Sequence, residues 1–582
     1  MCGIFSLINY HNTNRFNFNK IINSFEKGTS RGPEYSNIQS FNNFYLGFHR
    51  LAINGLDSLS NQPFEIDDII LICNGEIYNF RELAKYNDIT LTTNSDCEII
   101  LHLYKLYGIE YTLTILDGVF AFILYDKNIS KFFIARDPYG VRPLYFLQEH
   151  KLLGFASELK MLYNIPINKK NIFNFIPGYY MTIKNHEPFF YDYRKYTSFP
   201  CSNIIQPIND VYNNIYNNIL NAVKKRVIGT TDRPVGCLLS GGLDSSLITT
   251  LVNKFYNKGG LHTFSIGLKD SEDLKNATIV ANHINSIHHK IIVDEDDFFN
   301  AIPEVIKVIE SYDTTTVRAS VGNYLVSKYI KENTDCKVIF NGDGADELMG
   351  GYLYMKKAPS IYEFDRECKR LLQDIYMFDV LRSDKSISSN GLEPRTPFLD
   401  RSWIEFYLSI DKKLRYETTI NNCEKYLIRK TFDVLEPNLL PKEILWRTKE
   451  AFSDGVSGLN KSWYEIIQEK LEKLFTSDNQ LRNELDKIIM IYNKFDLQNK
   501  PDTYEKAYYR YLYNKHYQNT DHLINYFWMP KYVDAKDASA RTLDIYKENN
   551  ENNKNNENNE NNENNENNEN NENTNKTTCL LI

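Results

Sequence analysis

The 582-residue sequence has no long apolar run, no paired-cysteine motif and no excess of basic charge. Its longest apolar stretches, such as Ile69–Cys73 and Val119–Tyr125, fall far short of the ~20 residues that cross a bilayer. They read as buried strands. The nine cysteines are odd in number and scattered, without a C-x-x-C pair. That pattern excludes a disulfide framework and a zinc cluster, and it points to reduced cytosol. The opening Met1-Cys2-Gly3-Ile4-Phe5 lacks a basic segment and a long apolar segment, which argues against a signal peptide. Of the formal charge of −8, the stretch Lys547–Ile582, with eight Glu and three Lys, carries −5. The remainder is nearly neutral at −3, which argues against a protein that grips nucleic acid backbone.

The chain is long enough for two to four packed units, and its 42% apolar content supplies a large core. Residues 1–190 read as short strands punctuated by Gly, Asn and Pro, with one helix near Asp96–Tyr107. Residues 191–210 lose periodicity and are expected to link two units. From 211 to 546 the pattern changes to alternating helices and strands, including Val235–Leu239, Leu261–Ile266 and Lys337–Phe340. Such alternation predicts a parallel sheet with helices on both faces. Residues 547–582 repeat Glu-Asn-Asn without the apolar groups that offset ordering entropy, so disorder is expected there.

Cys2 is the first chemical clue. Removal of Met1 would put a thiol and a free amine on one residue, and the amine can take the thiol proton near neutral pH. Downstream, His49-Arg50-Leu51 offers a guanidinium suited to a carboxylate. Asn74-Gly75-Glu76 follows a buried strand and offers an amide and an N–H for an oxyanion, beside a carboxylate for an ammonium. Asp96 opens a helix with a second carboxylate. Singly, these read as a salt bridge, a turn and a helix cap.

As a set they resemble the N-terminal-nucleophile glutaminase domain of class II amidotransferases over residues 1–190. The resemblance implies an α+β αββα sandwich and hydrolysis of glutamine to glutamate and ammonia. It assigns attack to Cys2, the oxyanion hole to Asn74 and Gly75, and the glutamine's charged ends to Arg50, Asn74, Glu76 and Asp96. Ser30 stands where that family usually has His before Arg31-Gly32-Pro33.

In the second half, Ser240-Gly241-Gly242-Leu243-Asp244-Ser245-Ser246 lies between a buried strand and a helix. Glycines let backbone N–H groups approach phosphate, and the helix N-terminus favours an anion. No G-x-x-x-x-G-K-[ST] is present, so this is not the loop of γ-phosphoryl transfer. A second loop, Asn341-Gly342-Asp343-Gly344-Ala345-Asp346-Glu347, follows another strand. Carboxylates from two strand ends, Asp244 and Asp346, are the candidates to hold Mg²⁺ against phosphates. A solvated charge cluster is the alternative.

The first loop resembles that of the ATP pyrophosphatases, whose domain is adenine nucleotide α-hydrolase-like. Over residues 1–545 the whole pattern, through Trp446-Arg447-Thr448-Lys449 and Trp528-Met529-Pro530, resembles glutamine-hydrolysing asparagine synthetases. That resemblance implies glutamine, aspartate and ATP as substrates, with ATP activating aspartate and ammonia completing the amide. It implies ATP and pyrophosphate contacts from Leu239, Ser240, Gly241, Gly242, Asp244, Ser245, Ser246, Ile266, Asn341, Gly342 and Lys449. Arg318 and Tyr352 would hold aspartate, and a homodimer is implied. The family usually reads Ser-Gly-Glu-Gly-Ser-Asp-Glu in the acidic loop. Here Asp343, one methylene shorter than that first Glu, is the expected base for ammonia, so the loop shifts inward or Asp343 acts through water.

Two rival readings are a related synthetase acting on another carboxylate and an inactive sensor or scaffold with this fold. The end Cys579-Leu580-Leu581-Ile582 has the form of a prenylation box, with an atypical last residue and no polybasic run before it. An unmodified end is the alternative.

Overall fold

In the computed structural model, the described residues are 1–9, 18–184, 190–200, 205–229, 231–447, 449, 455–458 and 461–544. The Glu/Asn repeat, Cys579, Thr448 and residues 450–454 lie outside them.

Twelve strands build the first unit. They are β1 (Gly3–Ile8), β2 (Tyr35–Ser40), β3 (Phe44–Arg50), β4 (Phe64–Ile66), β5 (Ile69–Ile77), β6 (Gly118–Asp126), β7 (Lys131–Arg136), β8 (Tyr145–Glu149), β9 (Leu152–Ala156), β10 (Ile172–Asn174), β11 (Tyr179–Lys184) and β12 (Phe190–Lys195). They form two sheets, ordered β10-β8-β9-β1-β3-β2 and β12-β11-β7-β6-β5-β4. Strand alternation decides what faces what. Ile4, Phe48, Ile70, Ile72, Ile123 and Phe155 fill the space between the sheets. Leu71, Cys73, Phe122 and Leu124, which alternate with these inward residues, pack outward against the helix Ile99–Ile115. Phe5 and Leu7 pack with Ile21 and Phe25 of the helix Phe18–Phe25. The result is helix, sheet, sheet, helix, the expected sandwich. It reaches beyond residue 190, because β12 pairs with β11 over Tyr179–Lys195 in what the sequence offers as linker.

Five further strands, β13 (Val235–Leu238), β14 (His262–Gly267), β15 (Ile287–Ile292), β16 (Val338–Phe340) and β17 (Glu393–Arg395), make a second unit. Their order is β15-β14-β13-β16-β17, and all four pairings are parallel. The carboxyl ends of β13 and β16 lie side by side, Cys237 opposite Phe340. The two chemistry-bearing loops therefore emerge together, where ligands bind in open α/β sheets.

The units are joined by buried charge. Arg31 donates to Asp384 Oδ2 at 2.7 Å and Glu158 Oε1 at 3.1 Å, and its Nε reaches the Cys2 carbonyl at 2.9 Å. Burial disfavours the guanidinium's charge, but Asp384 and Glu158 outweigh it and raise its pKa above the usual arginine value.

Candidate active sites

The first site gathers at the mouth of the sandwich. Cys2 precedes β1, and its thiol lies 3.7 Å from the Leu51 carbonyl. With Met1 in place, burial pushes that thiol up to about 11. The Met1 amine, buried and donating to Leu392 O at 3.4 Å, is pulled down to about 6 by burial, against the attraction of Glu393.

On β5, Asn74 and Glu76 continue the inward alternation of Ile70 and Ile72. Asn74 is buried, and neither atom of its amide has a hydrogen-bond partner. Such an orphan is costly unless something else engages it, and an amide poised for an oxyanion is such a case. Gly75 is required by space, since a Cβ there would lie 2.7 Å from Val119 O.

Arg50 ends β3 with its guanidinium on Asn61 Oδ1 at 2.7 Å, Asp57 O at 2.9 Å and the Gly55 carbonyl. Asp96 accepts from Ile77 N–H at 2.6 Å. Asn54, which the sequence reading passes over, joins the two carboxylates. Its amide donates to Glu76 at 2.9 Å and Asp96 at 3.2 Å. Burial raises the pKa of both acids; Glu393 and Asp96 push Glu76 further, against Arg395 and Arg142. Glu76 also meets Arg395 of β17 at 3.2 Å, so the site rests directly on the second unit.

The second site is a cavity at the carboxyl ends of β13, β14 and β16, lined by Leu239, Ser240, Ile266, Asn341, Asp343 and Lys449, among others. After β13, Gly241 turns with φ +73°, and a Cβ there would sit 2.4 Å from Ala277 N, so only glycine fits. Ser240 and Ser245 hydroxyls are 2.9 Å apart, and Ser240 Oγ accepts from Gly242 N–H at 3.3 Å. Asp244 and Ser245 begin the helix Leu243–Phe255, whose N-terminal end faces the cavity. Ser246, in the same turn, is buried with an unpartnered hydroxyl.

After β16, Asn341 Nδ2 donates to Ser383 at 2.6 Å, and Gly342 packs against Asp244. Asp346 meets Lys449 Nζ at 2.6 Å and Lys425 Nζ at 2.5 Å, and Lys425 also pairs with Asp244. Burial alone would raise the Asp346 pKa; Lys425 and Lys449 hold it at about 2. Burial likewise opposes the Lys449 charge, but Asp346 and Asp244 prevail and raise it above the ordinary lysine value.

Asp343 pairs through Oδ1 with Arg382 at 3.0 Å, while its buried Oδ2 has no partner. Burial lifts its pKa, against the pull of Arg382. Arg382 also meets Asp379 at 2.8 Å. The Tyr352 hydroxyl contacts Glu347 and lies 3.0 Å from Asp379.

The loops thus bring together Asp244, Asp343, Asp346, Lys449 and Tyr352 as the sequence suggests. Three further residues carry no motif in the sequence: Asp379 and Arg382, in the helix Asp379–Ser388, and Lys425, at the cap of the helix Tyr426–Leu435. Arg318, expected to meet aspartate, is engaged elsewhere in the structure. All three guanidinium nitrogens of Arg318 are spent on Glu505 and Asp537, away from the cavity lining.

Residues 1–206 match a glutamine amidotransferase domain family, and residues 214–364 and 359–534 match the asparagine synthase family. The chain is 42% identical over 547 residues to asparagine synthetase [glutamine-hydrolyzing] of Gallus gallus, covering 89% of this chain and 94% of that protein. The Homo sapiens protein of the same name is 40% identical over 547 residues, with the same coverage. On this similarity along nearly its whole length, with both loops and Cys2 in place, the chain belongs to the glutamine-hydrolysing asparagine synthetase family.

Proposed function

We propose that Cys2 hydrolyses glutamine and that the ammonia completes an ATP-dependent conversion of aspartate to asparagine in the second unit. The observation that carries the reading is the pairing of two complete sites in one chain. An unpartnered Asn74 amide stands in the first, and a Gly-rich anion loop beside an acid–lysine cluster stands in the second.

In the first site, once Met1 is removed, Cys2 attacks the side-chain amide of glutamine; its thiol proton passes through its own α-amine to the departing ammonia, and water then cleaves the thioester to release glutamate. Asn74 and Gly75 donate to the developing oxyanion. Arg50 takes the α-carboxylate, and Glu76 with Asp96 takes the α-ammonium. In the second site the Ser240–Ser246 turn, with Leu239, Ile266, Asn341 and Gly342, cradles ATP. Aspartate enters beside Arg382, whose charge suits a carboxylate, and beside Tyr352. Its β-carboxylate attacks the α-phosphate, and pyrophosphate departs toward Lys449 and Lys425. Ammonia then attacks the acyl carbon of the β-aspartyl-AMP, the acyl C–O bond breaks and AMP leaves with its electrons, and the unpartnered Asp343 Oδ2 accepts the proton. Arg382 fixes the Asp343 carboxylate through its other oxygen, which leaves Oδ2 to act directly or through water.

Asp244 and Asp346 are oxygen donors that converge on one ammonium, and Asp244 Oδ1 is buried without a partner. That donor set fits Mg²⁺, with phosphate and water completing the shell. Bound there, the ion would neutralise charge on the departing pyrophosphate.

No helix among the described residues is long and apolar enough to cross a membrane. The seven described cysteines are all free. Free thiols suit a reduced compartment, the cytosol we propose, and light scattering checks the homodimer that the resemblance implies. The test of the function is a product assay with aspartate and ATP·Mg²⁺, using glutamine or ammonia as donor. Asparagine, AMP and pyrophosphate in equal amounts are expected; ADP and phosphate would refute the adenylate.

A further inference from the structure

The segment 526–543 crosses the second site and supplies part of its wall through Trp528, Pro530, Ala538 and Leu543. The helix Thr314–Asn333 lines the same cavity through Thr315, Ala319 and Asn323. That helix also holds the segment. Its N-cap, Asp313, uses one carboxylate oxygen for Thr316 N–H at 2.9 Å and the other for Trp528 N–H at 2.8 Å.

Farther along, Arg318 makes a double fork. Its Nε and one terminal nitrogen meet Glu505 at 2.8 and 2.7 Å, and its two terminal nitrogens meet Asp537 at 2.7 and 2.9 Å. The Tyr464 ring lies 4.8 Å beneath the guanidinium. Asp537 in turn accepts Ser539 N–H at 2.8 Å, which shapes the turn leading to Ala538 and Leu543. Leu543 packs on Leu353, and Arg541 reaches Gly458 O at 2.9 Å.

The segment has a direct route to the acidic loop. The Trp528 ring packs at a tilt of 54° against Tyr352, centroids 5.0 Å apart, and the Tyr352 hydroxyl contacts Glu347 and Asp379. Asp379 orients Arg382, which orients Asp343.

We propose that Arg318 and Asp537 form a latch that holds the 526–543 segment over the second site and so selects ammonia over water as the acyl acceptor. The proposal rests on the acyl-adenylate reading above. A mixed anhydride of aspartate and AMP is open to any nucleophile that reaches its acyl carbon. Water attacking there breaks the acyl C–O bond. AMP leaves with the electron pair, the water proton passes to solvent, and aspartate is regenerated. The net result is ATP split to AMP and pyrophosphate without asparagine. Shutting water out of the site is the remedy. Arg318 and Asp537 are positioning residues, because neither touches the reacting atoms.

Asp537→Asn in the full chain is the test. It keeps the shape of the side chain, removes one charge of the latch, and falls on a residue whose contacts are Arg318 and Ser539 rather than the glutaminase site. Pyrophosphate and asparagine are measured together, with saturating ammonia, aspartate and ATP·Mg²⁺. The expected result is a rise of ~2-fold or more in pyrophosphate released per asparagine, with glutaminase turnover unchanged. Asp537→Glu, which retains the carboxylate, should bring the ratio back toward that of the parent.

If Asp537→Asn lowers both products together and leaves their ratio at the parent value, the latch only supports the fold and the proposal is wrong. If Arg318→Lys raises the aspartate KM while Asp537→Asn behaves as the parent, Arg318 serves substrate instead, and the proposal again fails. If the parent itself releases no aspartate-dependent pyrophosphate, the adenylate reading falls first, and the latch with it.

Discussion

Lys425→Met removes a buried cation and leaves the volume nearly filled. The Lys425 side chain is 1% exposed, and its ammonium pairs with both Asp244 and Asp346. Taking one partner from a buried ion pair costs about 3–5 kcal/mol. Lys449, 2.6 Å from Asp346, still neutralises that carboxylate, so the low end applies. A loss of about 3 kcal/mol is expected. If the whole loss fell on ATP binding and activation, kcat/KM for ATP would drop about a hundredfold. Urea denaturation and ammonia-dependent synthesis, measured on the same protein, divide the loss between fold and site. Glutaminase turnover should not change.

The pH dependence has a definite sign. A carboxylate held below its unfolded pKa stabilises the fold above that value and loses the contribution as pH falls through the folded one. Asp346, held at about 2, therefore contributes fully at neutral pH and gives way only below the ordinary carboxylate range. In Lys425→Met its pKa should rise, so acid unfolding of the second unit should begin at higher pH. Equal urea midpoints, equal acid midpoints and an equal ATP KM would show that the lysine bridge does nothing, and would refute the electrostatic account.

Asp343→Asn should lower asparagine formation by a factor of about 10²–10⁴ while sparing the first-turnover burst of aspartate-dependent pyrophosphate, as expected for loss of a general base. Because burial raises the Asp343 pKa, the acid limb of the parent's ammonia-dependent rate should lie above the ordinary carboxylate value. Asn54→Ala takes away the amide shared by Glu76 and Asp96, so the glutamine KM should rise about tenfold, the cost of one charge-assisted hydrogen bond. Ammonia-dependent synthesis by that variant should match the parent. Arg31→Met leaves Asp384 and Glu158 facing each other across the two units. It should cost about 3 kcal/mol in urea denaturation, with both activities lost at lower urea.

What the sequence reveals and conceals follows from how local each signal is. Gly241 announces its turn because no other residue fits that backbone, and Asn74-Gly75 follows an apolar run whose alternation can be counted. The acidic loop is legible because Asn341, Asp343, Asp346 and Glu347 fall within seven consecutive residues. Lys425 carries no such mark. It caps the helix Tyr426–Leu435 with a φ of +59° and meets Asp244 from 181 positions away. Arg382 and Asp379 read as an ordinary i, i+3 surface pair until the fold buries them beside Asp343. Arg318 misleads in the opposite sense. An arginine near a substrate loop suggests a carboxylate ligand, but Glu505 and Asp537, supplied from about 190 and 220 positions later, already occupy it. The extent of the first unit is likewise a pairing fact, since β12 belongs to it through β11 rather than through any composition of its own.

The central claim is that two separate sites in one chain divide the work, with ammonia made at Cys2 and used at the second site. Cys2→Ala, assayed for asparagine with glutamine and then with ammonium chloride, tests it most directly. The account predicts that glutamine-dependent synthesis vanishes while ammonia-dependent synthesis keeps the parent's rate. Equal loss of both, or survival of both, would contradict it.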